Sequence, residues 1–279
     1  MDPSIIHDPL TMITSSQNSK IKTVRALTGR PKERREAGAF VAEGVRLIED
    51  AIHANWPFRF ALYDETLNER GRSNIESLKS RGVECEEVSP SLMRSLSDTD
   101  TSQGILAVLE LTPLPVPLSP DFILILDQIR DPGNLGTLLR TADAAGVQAV
   151  LLPPETTDAF APKVVRAGMG AHFRLPIHAM TWEETEQINK SASLQVVLAD
   201  MKGQSCWETD LRRPLALIVG GEAEGASESA RKLANQKISI PMMGQAESLN
   251  AAVAGSVLMF EVVRQRNNTS GLDTAALVE

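Results

Sequence analysis

Cysteine, histidine and aromatic residues are scarce in this chain. Its 279 residues include 2 cysteines, 4 histidines, 3 tryptophans and 1 tyrosine. Cys85 and Cys206 are single and far apart, which excludes a disulfide framework and a zinc-type ligand spacing and fits a reducing cytoplasm. His7, His53, His172 and His178 are scattered, so no metal site is expected. No run approaches the ~18 uninterrupted apolar residues of a membrane span. The first sixteen residues carry acids and no basic stretch ahead of an apolar core, so they do not read as a secretory signal. The expectation is a cytoplasmic globular protein without metal or membrane partner. A glycine-rich phosphate loop is also missing after the first strand of the C-terminal half, which weighs against a dinucleotide enzyme.

Basic charge is short as well: the formal net charge is −8. It is unevenly spread, however. Between Asn18 and Arg46 there are eight basic residues (Lys20, Lys22, Arg25, Arg30, Lys32, Arg34, Arg35, Arg46) against three acids (Glu33, Glu36, Glu43). Such a stretch is either a solvated helix face with i,i+4 pairs or a phosphate-contacting patch.

Four prolines between Leu111 and Pro120 remove amide donors and block helix. They mark an extended linker (113–120) between a first domain (14–112) and a second (121–267). The first reads as a small α/β domain, with helices over 20–28, 32–37, 44–54 and 73–81 and strands over 40–41, 58–63 and 104–110. The second alternates regularly. Apolar strands are expected over 122–126, 149–152, 194–199, 215–219 and 237–240. Helices are expected over 134–145, 162–168, 182–191, 227–235 and 248–264. Short Val/Ile/Leu-rich strands separated by helices indicate a parallel sheet covered on both faces, with ligands at the C-terminal strand ends.

Three strand-to-helix loops carry the polar chemistry. The first, over 127–140, holds turn residues Asp131-Pro132-Gly133, then Asn134 as a candidate cap and Arg140 beside Leu138, Leu139 and Ala142. A guanidinium near a buried face wants an anion, either an internal carboxylate or a bound phosphate. In the second, over 219–227, Gly220 and Gly221 permit close backbone approach and Gly225 a left-handed turn, with Glu222 between them. The third, over 241–250, runs Pro-Met-Met-Gly-Gln-Ala-Glu-Ser-Leu-Asn into a helix of small residues, with Ser248 as the expected N-cap.

Taken together, the loops resemble the SpoU family of RNA ribose 2′-O-methyltransferases, within the knotted SPOUT class. The family's N-x-G-x-x-x-R motif reads Asn134 to Arg140, its G-x-E-x-x-G motif Gly220 to Gly225, and its P-M-x-G-x-x-x-S-L-N motif Pro241 to Asn250. The first domain resembles the family's substrate-binding domain, through Asn18-Ser19-Lys20-Ile21-Lys22, Phe40 to Arg46 and Gly104 to Val108. Where many members have serine two residues after the motif asparagine, this chain has Ala252.

The resemblance implies a C-terminal parallel-sheet domain with a deep trefoil knot, preceded by a small α/β RNA-binding domain like certain ribosomal proteins. It implies S-adenosylmethionine (SAM) as cofactor, no metal, and a homodimer. Gly220, Gly221, Ile240, Met242, Gly244 and Leu249 would hold the cofactor. Arg140, with Asn134, Glu222, Ser248 and Asn250 around it, would serve the chemistry. Lys20, Lys22, Arg30, Lys32, Arg34, Arg35 and Arg46 become candidate RNA contacts. The two-domain layout resembles that of the family's rRNA-directed members, which implies ribosomal RNA ahead of tRNA as substrate. A non-catalytic RNA- or ribosome-binding protein on the same fold, and a base-nitrogen methyltransferase, are the alternatives.

Overall fold

A computed structural model describes residues 12–99, 101–221 and 225–267. The chain divides into two compact units: Met1–Thr112 with Phe160–Phe173, and Pro113–Ala159 with Arg174–Glu279.

In the first unit the order is α1 (Ser19–Gly29), α2 (Pro31–Ala37), β1 (Ala39–Glu43), α3 (Val45–His53), β2 (Phe58–Tyr63), α4 (Glu69–Ser80), β3 (Glu84–Glu87), α5 (Pro90–Leu96) and β4 (Ile105–Glu110). The four strands form one mixed sheet in the order β1-β4-β2-β3, with β4 antiparallel to both β1 and β2, and β3 parallel to β2. Helix α1 is capped by Asn18, whose Oδ1 accepts from Lys20 N at 2.8 Å. It lays Ile21, Val24 and Leu27 onto the same-face strand residues Val41, Phe60, Leu62, Leu106 and Val108. Each such side chain contributes roughly 1.5–3 kcal/mol by leaving water. Strand β3 and helix α5 are absent from the sequence reading. Glu84-Cys85-Glu86-Glu87 has too little apolar character to register as a strand. It is an edge strand, and Glu84 and Glu86 are neutralised by Lys20 Nζ at 2.5 and 2.9 Å.

The segment Phe160–Phe173 lies within the second domain as read from sequence, yet it belongs to the first unit. Aromatic packing explains this: Phe160 lies 5.1 Å from Phe40, and Phe173 lies 5.4 Å from Trp56 (ring centroids). Its helix α7 (Pro162–Ala167) packs on β1, and Arg166 Nη2 pairs with Asp98 Oδ2 at 2.7 Å.

The second unit contains β5 (Phe122–Asp127), α6 (Pro132–Ala144), β6 (Ala149–Leu152), β7 (Ile177–Ala179), α8 (Trp182–Ser191), β8 (Gln195–Ser205), β9 (Leu215–Gly220), α9 (Glu228–Leu233), β10 (Gln236–Ser239) and α10 (Ala251–Asn267). Its six strands form a wholly parallel sheet in the order β10-β8-β9-β5-β6-β7. The chain builds outward from β5 through β6 to β7, then returns to the other side of β5. The switch point therefore falls between β5 and β9, where such sheets open a crevice at their C-terminal ends. The polyproline segment packs on this unit: Val116 lies against the core, and Leu114 O meets His178 Nε2 at 2.7 Å.

Strand β8 is longer than its apolar run. Residues 197–198 pair with Gln236 and Lys237, then the register jumps so that Ile238 and Ser239 meet Gln204 and Ser205. Residues 199–203 are left out of the ladder. At Gly203 a Cβ atom would lie 2.5 Å from the Lys237 carbonyl carbon, so only glycine lets the two backbones cross this closely.

Candidate active site

Helix α6 brings the first motif into place. Its cap is Asp131, whose Oδ1 accepts from Asn134 N at 2.8 Å; Asn134 is therefore not the cap expected from sequence. Buried Leu135, Leu138, Leu139 and Ala142 form one stripe of the helix. Arg140, five residues on from Leu135, is turned well away from that stripe. It is exposed, and among the described residues no hydrogen bond or ion pair holds its guanidinium. The internal salt bridge admitted by the sequence is not formed with any described residue.

The third motif enters through α10. The helix begins at Ala251, three residues later than expected, because Asn250 and not Ser248 is its cap. Asn250 Oδ1 accepts from Ala252 N at 2.9 Å and Val253 N at 3.2 Å, and its carbonyl accepts from Ala254 N. The same side chain uses its other end to join the first motif: Nδ2 donates to Asn134 Oδ1 at 3.1 Å. One turn further along α10, Gly255 makes the close helix contact possible. A Cβ there would meet Leu138 Cδ2 at 2.5 Å and Val219 Cγ2 at 3.3 Å. Ser256 Oγ and Thr141 Oγ1, 3.1 Å apart, add a polar tie between α10 and α6.

The second and third motifs enclose a cavity of about 610 Å³. This is within the ~300–1,000 Å³ range of small-molecule sites. Gly220, Gly221, Ile240, Met242 and Leu249, the candidate cofactor residues, line it, and Ser248 joins them. Gly244 does not: it is exposed on the loop and is not part of the lining. Glu222 lies outside the described residues. A Cβ at Gly220 would fall 2.7 Å from Ala226 N, so the loop can fold back on itself only with glycine there. Gly225 adopts the left-handed φ of +68° expected of it.

Two further cavity residues escaped the sequence reading, Asp200 and Arg231. Asp200 Oδ2 binds Arg231 Nη1 at 2.9 Å and Lys237 Nζ at 3.5 Å, and its Oδ1 accepts from Lys202 N at 3.0 Å. The Lys202 amide first, then the two cations, hold its carboxyl below the usual range. An aspartate directly after the apolar run Val196-Val197-Leu198-Ala199 was the available signal. Asp127 was also overlooked. It closes β5, is fully buried, and its Oδ2 accepts from Ser227 N at 2.6 Å, fastening the start of α9 to the strand end. Burial pushes its carboxyl upward against that bond.

In the first unit the candidate RNA contacts separate into two kinds. Lys22, Arg30, Arg35 and Arg46 are exposed and form no ion pair among the described residues; Lys32 is exposed and pairs weakly with Glu36 at 3.6 Å. Lys20 and Arg34 do not present free charge. Lys20 is held between Glu84 and Glu86 and over the Phe60 ring. Arg34 is 2% exposed and donates from Nη1 to Leu27 O at 2.6 Å, closing the α1–α2 corner from inside. Among the described residues there is no cluster of three or more metal-ligating side chains, and no helix is long and apolar enough to cross a membrane.

Residues 121–260 match the model of the SpoU rRNA methylase family. The chain belongs to that family. Residues 18–107 match the MRM3-like substrate-binding domain. Among its relatives in the SpoU family is the 23S rRNA (uridine(2479)-2′-O)-methyltransferase of Streptomyces viridochromogenes, 32% identical over 275 residues, covering 92% of this chain and 94% of the relative. Another is the 23S rRNA (guanosine(2553)-2′-O)-methyltransferase RlmP of Bacillus subtilis, 33% identical over 255 residues, covering 91% and 99%. The crystal structure of the SpoU methyltransferase AviRb from S. viridochromogenes in complex with the cofactor AdoMet superposes with a TM-score of 0.80 at 31% identity, covering 90% of this chain and all of that one.

Proposed function

We propose that this SpoU protein is a SAM-dependent methyltransferase acting on a ribose 2′-hydroxyl of ribosomal RNA. The observation that carries this reading is the Asn250–Asn134 hydrogen bond, which joins the first motif to the third at the edge of the cavity that the second and third enclose. The relatives' activities and the AdoMet-bound neighbour support it. The cavity suits SAM chemically. Val219, Ile238, Ile240, Leu249 and Leu258 offer apolar surface for an adenine, and the glycines bring backbone groups close. Asp200 and Arg231 offer opposite charges to a zwitterionic amino-acid end.

When bound there, SAM supplies an electrophilic methyl group. The protein's share is to hold the ribose hydroxyl and stabilise the charge it develops as its proton leaves. Arg140 is exposed and has no hydrogen-bond or ion-pair partner among the described residues, so its guanidinium donors are available to a phosphate or to the developing oxyanion. Asn134 is fixed by Asn250 at the start of the helix that carries Arg140, while Ser248 lines the cavity wall. Glu222 is assigned to the same site through the motif alone. Lys22, Arg30, Lys32, Arg35 and Arg46 of the first unit supply sequence-independent attraction to the RNA backbone.

The functional form is a homodimer in the cytoplasm, its chain threaded as the family's trefoil knot. Exposed Val253 and Phe260, seven residues apart on one face of α10, support a subunit contact there. The deciding experiment incubates the protein with methyl-labelled SAM and unmodified 23S rRNA, then digests the product to nucleosides. Label in a 2′-O-methylnucleoside supports the reading. Label on a base, or SAM binding without transfer to any ribosomal RNA, refutes it.

A further inference from the structure

Arg130 immediately precedes the Asp131 cap of α6, the helix that carries Asn134 and Arg140. Its Nη2 donates to Glu155 Oε2 at 2.8 Å, with the two side chains 61% and 59% exposed. Glu155 lies on the loop after β6 in the left-handed region, at φ +71°, which is unfavourable for a residue with a Cβ. The ion pair is not what holds that loop. Thr156 Oγ1 donates to Leu126 O at 2.7 Å, and Thr157 N donates to Ile129 O at 2.9 Å, stapling it to the end of β5. An exposed pair of this kind adds little to stability. The backbone staples therefore present a carboxylate to Arg130 at a conformational cost that the pair itself does not explain.

Position gives the pair a use. The cavity is lined from β8, β9 and β10, on one side of the switch point, whereas Arg130 and Glu155 sit at the ends of β5 and β6, on the other. The Asn134–Asn250 hydrogen bond ties the first turn of α6, which Arg130 and Asp131 precede, to α10, whose Ala251, Ala254 and Leu258 line the cavity. An RNA strand whose ribose reaches that bridge carries its adjacent phosphates over the β5 and β6 ends.

We propose that Arg130 is a backbone-phosphate contact for the RNA substrate, and that Glu155 occupies its guanidinium while no RNA is bound. The proposal rests on the RNA-methyltransferase reading above. Guanidinium takes phosphate in the same forked geometry as carboxylate, so one partner replaces the other without rebuilding the loop. Glu155 thereby weakens attachment to RNA that does not bring a phosphate to this point.

The test measures binding of the full chain to in-vitro-transcribed 23S rRNA across a series of salt concentrations, for wild type, Arg130→Gln, Glu155→Gln and the double variant. Arg130→Gln should weaken binding and reduce the slope of log affinity against log salt by about 1, the loss of one phosphate contact. Glu155→Gln should tighten binding, and this gain should shrink markedly in the Arg130→Gln background. SAM affinity, read by calorimetry, should be the same in all four proteins. An unchanged slope in Arg130→Gln, or an equal gain from Glu155→Gln in both backgrounds, overturns the proposal. Methyl transfer by wild type is read on the same RNA. Its failure counts against the methyltransferase reading, while the binding slopes decide the Arg130–Glu155 exchange independently.

Discussion

Replacing Arg140 by glutamine separates a structural arginine from a functional one. The side chain is exposed and has no partner among the described residues, so its removal breaks no bond to them. Arginine and glutamine have similar helix propensities, so α6 loses little. Surface changes of this kind fall within about ±0.5 kcal/mol. For a chain of this size that moves the melting temperature by no more than about 2 °C. Arg140 does not line the cavity, so SAM affinity should stay within about twofold. The loss should appear in turnover instead. Removing one preorganised donor to a developing oxyanion costs about 10²–10³ in kcat, or ~2.7–4 kcal/mol. Thermal denaturation, calorimetry with SAM and single-turnover methyl transfer measure the three quantities on one preparation. A kcat within threefold of wild type would refute the role given to Arg140, and a large fall in melting temperature would show that it is a structural residue after all.

Adjacent arginines on α2 should behave oppositely. Arg34→Ala should destabilise by about 2–3 kcal/mol in urea unfolding, because a charge-assisted bond to the buried Leu27 carbonyl is lost. Arg35→Ala should leave unfolding unchanged and weaken RNA binding, with a shallower salt dependence. Gly255→Val drives a side chain into Leu138 and Val219, so a loss of about 1–3 kcal/mol and weaker SAM binding are expected; unaltered SAM affinity would show that α10 seating does not shape the cavity. Asn250→Ser keeps a good N-cap but cannot reach Asn134, so it should fold normally and lose turnover, whereas Asn250→Ala loses both. Glu261, nearly buried, is held below the usual carboxylate range first by Arg264 and then by Gln265. Its folded pKa lies below its unfolded value of about 4.3, so its contribution is complete above that value and is lost as pH falls through the folded pKa. The stability gap between wild type and Glu261→Gln should therefore be flat near neutrality and close below about pH 4.

Much of this architecture was legible because the strands of the second unit are buried on both faces and read as plain apolar runs, Phe122 to Leu126 most clearly. Strand β8 overran its reading because its second half pairs across a register jump, where backbone geometry at Gly203, and not hydrophobicity, decides. The motif loops were found by residue type, but their bonding was not. Ser248 and Asn250 are equally good caps on paper; only the proximity of Asn134, 116 residues earlier, favours Asn250. Arg140 was read as near-buried from its apolar neighbours, although five residues of helix turn it outward. Lys20 and Arg34 were counted as surface charge because nothing local reveals Glu84 and Glu86 from another element, or a carbonyl waiting inside a helix corner. Local pattern located the elements; the partners of the charges are set by tertiary contacts that no window of sequence contains.

The membership of Phe160–Phe173 in the first unit changes how the chain can be made and cut. The polypeptide passes between the units three times, not once. During synthesis Phe40 and Trp56 emerge long before their aromatic partners Phe160 and Phe173, so the first unit cannot complete its core until most of the parallel sheet's first half has been translated. A protease nick in the proline segment would not release a finished domain, and a fragment ending at Thr112 would expose one face of β1. The first unit thus depends for its core on a segment that the chain supplies from within the span of the second, even though each has its own sheet.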